Sequence, residues 1–257
     1  MRERLCSTLS EVAQLAGHLL FDMGEYVKAR EFHTTAITAA QEANDPALQA
    51  VAWGRMSFTW TYSDNPQKAL ECIQEARSLA WSVNSTARAY LAAVEAEIQA
   101  LLGDREACLK ALDNAENFEE QQYSNAESYW LRFDRSRLAG YKGICFQRLY
   151  RLGNNQSTSL LTKAQKVLTD ALERLSPQRI QRRPVLLADL ASVFAKQGAI
   201  EAACEYATQA MSITTQVRSK TVLQHLLVLR QELAPWKETS HVKTFDEQIV
   251  PLLKSGR

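Results

Sequence analysis

His18 and Asp22 stand one helical turn apart and are the closest the chain comes to a catalytic or metal-binding pair. An imidazole and a carboxylate at i and i+4 share a helix face, where they can pass a proton or hold a cation. Two ligands are too few for a structural zinc site, and a surface hydrogen bond is the plainer reading. The sequence has no Walker A string, no H-E-x-x-H, no G-x-S-x-G and no paired-cysteine metal spacing. No catalytic residue, metal or cofactor is therefore assigned, and the chain reads as a non-enzyme. Arg137 and Tyr141 are likewise one turn apart. A planar guanidinium beside a phenol can grip a carboxylate or phosphate at the end of a ligand.

The four histidines (His18, His33, His225, His241) do not cluster in sequence, and the five cysteines (Cys6, Cys72, Cys108, Cys145, Cys204) are odd in number and far apart. That cysteine usage fits reduced thiols in a cytoplasmic setting, with Cys108 at a small-residue packing position. Charge is uneven. Arg135 to Arg183 carries eleven Lys/Arg against two Asp/Glu, whereas Asp104 to Asp134 carries eight acidic and three basic residues. The first stretch is either a solvated face or a positive wall for an anionic partner.

Elements must position these groups, and composition says which kind. The chain has 257 residues, 46% hydrophobic and 23% charged, with only 9 Gly and 6 Pro. That excludes disorder as the dominant state and a turn-rich all-β chain. Net charge is +1, from 30 Lys+Arg against 29 Asp+Glu, without the basic excess of a nucleic-acid binder. No run approaches the roughly 18 apolar residues of a membrane span, and the polar residues of the amino-terminal segment read as an amphipathic helix, not a targeting signal.

Five segments share a helix–turn–helix plan. The second helix of each carries a trio at offsets +4 and +7: Ala29, His33, Ala36; Ala69, Ile73, Ala76; Cys108, Leu112, Ala115; Ala164, Leu168, Ala171; and Ala203, Ala207, Ala210. Each trio falls on one helical face, and the first members lie 40, 39, 56 and 39 residues apart. Turns at Met23-Gly24-Glu25, Ser63-Asp64-Asn65-Pro66, Leu102-Gly103-Asp104 and Gln197-Gly198-Ala199 precede four of them, with Gly fitting a helix C-cap and Pro66 a helix start. The first helices carry apolar residues at helical spacing, such as Leu15, Leu19, Leu20 and Phe21, and Trp53, Trp60 and Trp130 as packing aromatics. His33 takes a core position within its trio. The fourth unit departs, with a long first helix from about Ser124 to Leu152 and a polar loop from Gly153 to Ser159. A basic linker, Gln178 to Pro184, follows. Stacked pairs of this kind build a continuous core in which small residues permit close helix approach. The expected fold is all-α: a right-handed superhelix of about twelve helices in one domain, with repeats at about 7–43, 46–81, 84–117, 123–175 and 184–216 and closing helices over 219–254.

The strings FDMGEYVKAREFHTTA (Phe21 to Ala36), LGDREACLKALDNA (Leu102 to Ala115) and AKQGAIEAACEYATQA (Ala195 to Ala210) resemble the tetratricopeptide repeat. The likeness lies in the turn Gly, the residue after it and the small residues of the second helix. The segments from Ser10 to Ala29, Ala52 to Phe58 and Tyr129 to Gly153 also resemble the C-terminal repeat region of bacterial XRE-family (Cro/CI-type) transcriptional regulators. In that family a helix-turn-helix precedes the repeats. Here Met1 stands nine residues before Ser10, which implies either a fragment or a stand-alone sensor module.

The concave side of such a stack collects first-helix residues. By repeat alignment these include Gln14 and Phe21, Glu97, Ser192 and Lys196. His18, Asp22, Phe58, Tyr62, Tyr90, Arg137, Tyr141 and Arg148 are the candidate ligand-binding residues. Aromatic area mixed with both charges suits a peptide, a small molecule or a partner protein. The resemblance implies a sensor or interaction module of a regulator, while a constitutive scaffold or adaptor is the alternative. Binding to DNA by this chain alone and membrane association are not expected, and a homodimer is possible. A circular dichroism spectrum should show helix alone. Substantial strand signal would contradict the reading.

Overall fold

A computed structural model describes residues 1–63, 65–121, 133–152, 158–175, 182–217 and 220–255. Among these residues every regular element is helical: α1 (Arg2–Asp22), α2 (Tyr26–Glu42), α3 (Pro46–Thr61), α4 (Pro66–Ser78), α5 (Ser85–Leu102), α6 (Arg105–Glu120), α7 (Arg135–Leu152), α8 (Thr158–Arg174), α9 (Arg183–Lys196), α10 (Ile200–Val217), α11 (Lys220–Glu232) and α12 (Ser240–Ser255). Short 3-10 turns lie at Ala80–Ser82 and Ala234–Trp236. No described helix is long and apolar enough to cross a membrane. The chain divides into two compact units, Met1–Tyr141 and Lys142–Arg257.

Local chemistry sets the helix ends. Asp45, Asn65, Asn84 and Asp104 each accept a hydrogen bond from the backbone N–H three residues on, at 2.9–3.1 Å. Caps of this type stabilise a helix by about 1 kcal/mol each. Pro46 and Pro66 take the first helical position, where no N–H is needed. Gly24, Gly103 and Gly198 have φ of 73°, 84° and 79°, so the three turn glycines occupy the left-handed region that a side chain disfavours. Asn44, at φ 53°, plays the same part between α2 and α3.

All five trios are buried. Their members keep 0–2% of their surface, apart from Ala171 at 6%, and His33 takes the place that Leu112 and Leu168 fill in other pairs. Small first-helix residues complete the fit. Gly17 of α1 faces the His33 ring so closely that a Cβ there would lie 2.5 Å from it, and Gly143 of α7 would meet Leu168 of α8 at 2.7 Å. Ser10 and Ser57 donate their hydroxyls to the carbonyls of Ala36 and Ala69, at 2.8 and 2.7 Å, across the first and second pairs.

In the first unit α1–α2, α3–α4 and α5–α6 pack as neighbouring pairs, and α3 also meets α5. Its core runs from Val51 and Ile73 through Leu91 and Val94 to Phe133 and Leu138. In the second unit α9 packs against α8, α10 and α11, and α12 covers α10. That core gathers Leu187, Met211, Leu226, Leu229 and Phe245.

Two expectations are corrected. The first helix of the fourth pair is not continuous from Ser124. Residues 122–132 lie outside the described residues, as does Trp130, but Phe133 and Asp134 are non-helical and α7 begins at Arg135. The Asp134 carboxylate starts the helix there, accepting the N–H of Arg137 at 3.0 Å. On α1 only Phe21 of the expected packing residues is buried, while Leu15 and Leu19 keep 58% and 55% of their surface. Asp64, most of the polar loop (153–157) and residues 178–181 of the basic linker also fall outside the described residues.

Gly143→Ala should destabilise the chain by about 1–3 kcal/mol through overpacking against Leu168, although alanine is by itself the better helix former by about 1 kcal/mol. Adding Leu168→Ala should make the pair of changes less costly than their sum. Urea unfolding of the four proteins checks this, and strict additivity would contradict it.

Candidate functional site

Seven of the eight candidate ligand-binding residues fall in the first unit, where α1, α3, α5 and the start of α7 supply them. Phe21 ends α1 with its ring 4.9 Å from Phe58 and 5.4 Å from Tyr62. Phe58 and Tyr62 are one turn apart on α3, 4.8 Å between centroids. The row continues from Phe58 to Tyr141 at 6.2 Å, from Tyr141 to Phe133 at 6.0 Å and from Phe133 to Tyr90 at 6.0 Å. All lie in the range of favourable tilted and edge contacts. The row is sunk to unequal depth. Phe21, Phe133 and Tyr90 are buried, whereas Phe58, Tyr62 and Tyr141 remain partly accessible. Tyr90 and Glu97, expected on an open face, are inside, at 6% and 1% exposure. Tyr90 belongs to the core, and its ring lies over Gly54 of α3.

Two guanidiniums converge on this row. Arg55, one turn before Phe58 on α3, donates to the Gln14 carbonyl at 3.4 Å. Burial holds Arg55 below its ordinary value and the neighbouring Arg137 adds to this, while Tyr90 and Tyr141 act in the opposite sense. Burial in turn pushes the Tyr90 phenol up, with Arg55 and Arg137 opposing the shift and Glu97 adding to it. Arg137 sits in the first turn of α7, one turn from Tyr141. The two guanidiniums thus act on one another and on the phenols of Tyr90 and Tyr141.

His18 faces the same region, 3.8 Å from Asp22. Burial lowers it to about 3, and Arg55, Arg137 and His33 add to the shift. Its side chain nevertheless keeps 38% of its surface, so water entering from that side screens part of the effect. His33 is 1% exposed and is lowered to about 3 by burial, with Arg55 adding. Both imidazoles are neutral at pH 7, and at 3.8 Å His18 and Asp22 are neighbours beyond hydrogen-bond distance. Among the described residues no three His, Cys, Asp or Glu side chains gather to hold a metal ion. Cys72, Cys108, Cys145 and Cys204 are buried, and burial pushes the Cys72 thiol up to about 11, far from reactive thiolate.

Arg148, the eighth candidate, lies in the second unit on α7 and is partly buried. That unit holds a polar cluster of its own. Lys196 donates to Gln147 Oε1 at 2.9 Å and to Ser192 Oγ at 2.6 Å, and pairs with Glu232 at 2.7 Å. Ser192 donates to the other oxygen of Glu232. His225 meets Asp189 at 2.7 Å, and the Gln147 amide donates to the Asp189 carbonyl at 3.3 Å. The spacing explains the alignment. Asp189, Ser192 and Lys196 recur at i, i+3 and i+7 on α9, and His225 and Glu232 stand seven apart on α11. Ser192 and Lys196 were expected to line an open groove; they are 9% and 10% exposed and tie α7, α9 and α11 together. An ammonium held by a carboxylate and two neutral oxygens is a tether, not a base for the serine.

Sequence reading missed Arg55, Glu232 and the His225–Asp189 pair. The available signal for Arg55 was its place one turn from Phe58. For the second unit it was the matching seven-residue spacing on α9 and α11. No protein-family model matches the chain, and no curated protein matches it.

The buried neutral His33 makes stability acid-sensitive. Its folded-state value lies below the ordinary 6.5, so the unfolded chain binds the proton first as pH falls. Stability present above about pH 6.5 is then lost progressively down to about pH 3. At pH 5 this one group should account for about 2 kcal/mol of loss. His33→Leu, which installs the residue used in two other trios, should lose less stability than the parent between pH 7.5 and 5 in urea titrations. Equal losses would contradict the assignment.

Proposed function

We propose that the chain is a ligand-binding sensor and interaction module of the tetratricopeptide type, serving a bacterial transcriptional regulator. On this reading the helix pairs stack as a right-handed superhelix, and the first-helix face of the Met1–Tyr141 unit binds an extended peptide or small molecule bearing an anionic group. The observation that carries it is the nearness of Arg55 and Arg137 to each other and to the phenols of Tyr90 and Tyr141, in a ring row that Phe58 and Tyr62 extend. Rigid aromatic side chains supply contact area with few torsions to freeze, and the guanidiniums fix the orientation of the bound end. The neutral His18 imidazole adds an N–H donor beside them.

Signalling on this reading is a population shift. A ligand that prefers one spacing of the first helices biases the stack, and repeat interfaces pass the bias to a DNA-binding domain or partner. The chain itself is neither an enzyme nor a DNA binder. The closed Ser192–Lys196–Glu232 cluster supports the first statement, and the net charge of +1 supports the second.

Extended peptides with a free C-terminal carboxylate should bind more tightly than the same peptides with a C-terminal amide. Arg137→Ala should weaken the carboxylate form by about 1.5–3 kcal/mol, roughly 10- to 150-fold, with little change in Tm. Calorimetric titration of both peptide forms against both proteins measures this. If Arg137→Ala instead unfolds the protein and leaves affinity per folded molecule unchanged, Arg137 is structural and the site is misassigned.

A further inference from the structure

The outward face of α1 breaks the rule that the other first helices keep. Leu5, Leu9, Val12, Leu15, Leu19 and Met23 each retain half or more of their surface. Their steps of three and four residues place them in one stripe along the helix. The opposite face, with Ala13, Gly17 and Phe21, is buried. The stripe runs about 30 Å at 1.5 Å per residue, and a contiguous apolar surface of that length marks an interaction site.

Two features of α1 specify the occupant. The stripe is nearly the same read from either end: its steps are 4, 3, 3, 4, 4 in one direction and 4, 4, 3, 3, 4 in the other. An antiparallel copy therefore sets apolar residues against apolar residues along the whole length. The flanking charges are antisymmetric. Arg4 and Asp22 are 18 residues apart, which is about five full turns, so they lie on the same flank at opposite ends. Antiparallel packing of two α1 helices sets each flank against its own copy and brings Arg4 beside Asp22 of the other, whereas parallel packing sets opposite flanks together and offers neither charge that partner.

We propose that α1 is a self-association surface, through which two copies of this chain pack antiparallel about a two-fold axis. Such an interface is isologous, the same patch serving both partners. One helix face per copy places it at the small end of specific interfaces, so the dimer is concentration-dependent and dissociates on dilution. The inference does not rest on the ligand-binding reading; the two share Asp22 alone, and sedimentation reads association without ligand.

Sedimentation velocity of the full chain from low to high micromolar concentration tests it. A shift from monomer to dimer is expected. Leu9→Glu and Leu15→Glu, both at exposed positions, should hold the chain monomeric over the same range with an unchanged circular dichroism spectrum. Arg4→Asp and Asp22→Arg should each weaken dimerisation several-fold by setting like charges together, and the two changes in one chain should restore it. A monomer at every concentration overturns the proposal. So does a dimer indifferent to Leu9→Glu and Leu15→Glu, a double charge swap no better than the single changes, or binding of α1 to anionic lipid vesicles by a chain that does not self-associate.

Discussion

Close approach of paired helices at small residues is the constraint on which the remaining geometry depends. Where Ala29 and Ala36 or Ala203 and Ala210 meet a first helix, no longer side chain fits between the backbones. Gly17 and Gly143 extend the same fit from the facing side. Helices seated this closely cannot rotate much about their axes, so the outward face of each first helix is fixed by the inward one. That is how α3 comes to hold Arg55 and Phe58 toward α7, and how α9 comes to hold Asp189 and Lys196 toward α11.

The two units use this scaffold differently. In the second, the first-helix face closes on itself. Two carboxylates, an ammonium, a hydroxyl, an imidazole and the Gln147 amide bond to one another at 2.6–3.3 Å and leave one Asp189 oxygen over, which fixes the register of three helices. In the first, aromatic rings take that place and bring two guanidiniums with them. A ring row buries apolar area through tilted and edge contacts in place of a polar network. The same desolvation that lowers Arg55 strengthens any charge-assisted bond it makes.

The repeat was legible because it is periodic. Trios at +4 and +7, glycines at positive φ and Pro66 at a helix start are local signals, and tertiary structure does not override them. The closing helices expected over 219–254 appear as α11 and α12. What sequence could not show was which face of each first helix is open. Tyr90 has the same chemistry as Tyr62, yet a glycine on the neighbouring helix, Gly54, makes room for it in the core. Leu15 and Leu19 look like core residues by type and spacing, and face outward because the small residues Ala13 and Gly17 take the contact with the rest of the unit. Arg55 and the Asp189–His225 pair depend on partners 35 to 86 residues away in the chain. No window along a single helix contains that information.

The reading proposed for the first unit is that an anionic group binds beside Arg55 and Arg137. Native mass spectrometry of freshly purified protein, compared with an Arg55→Met chain of normal melting temperature, tests it most directly. The account predicts a retained ligand bearing a carboxylate or phosphate on the parent, and its loss from Arg55→Met. A retained ligand with no anionic group, or the same ligand on both proteins in equal amount, would contradict it.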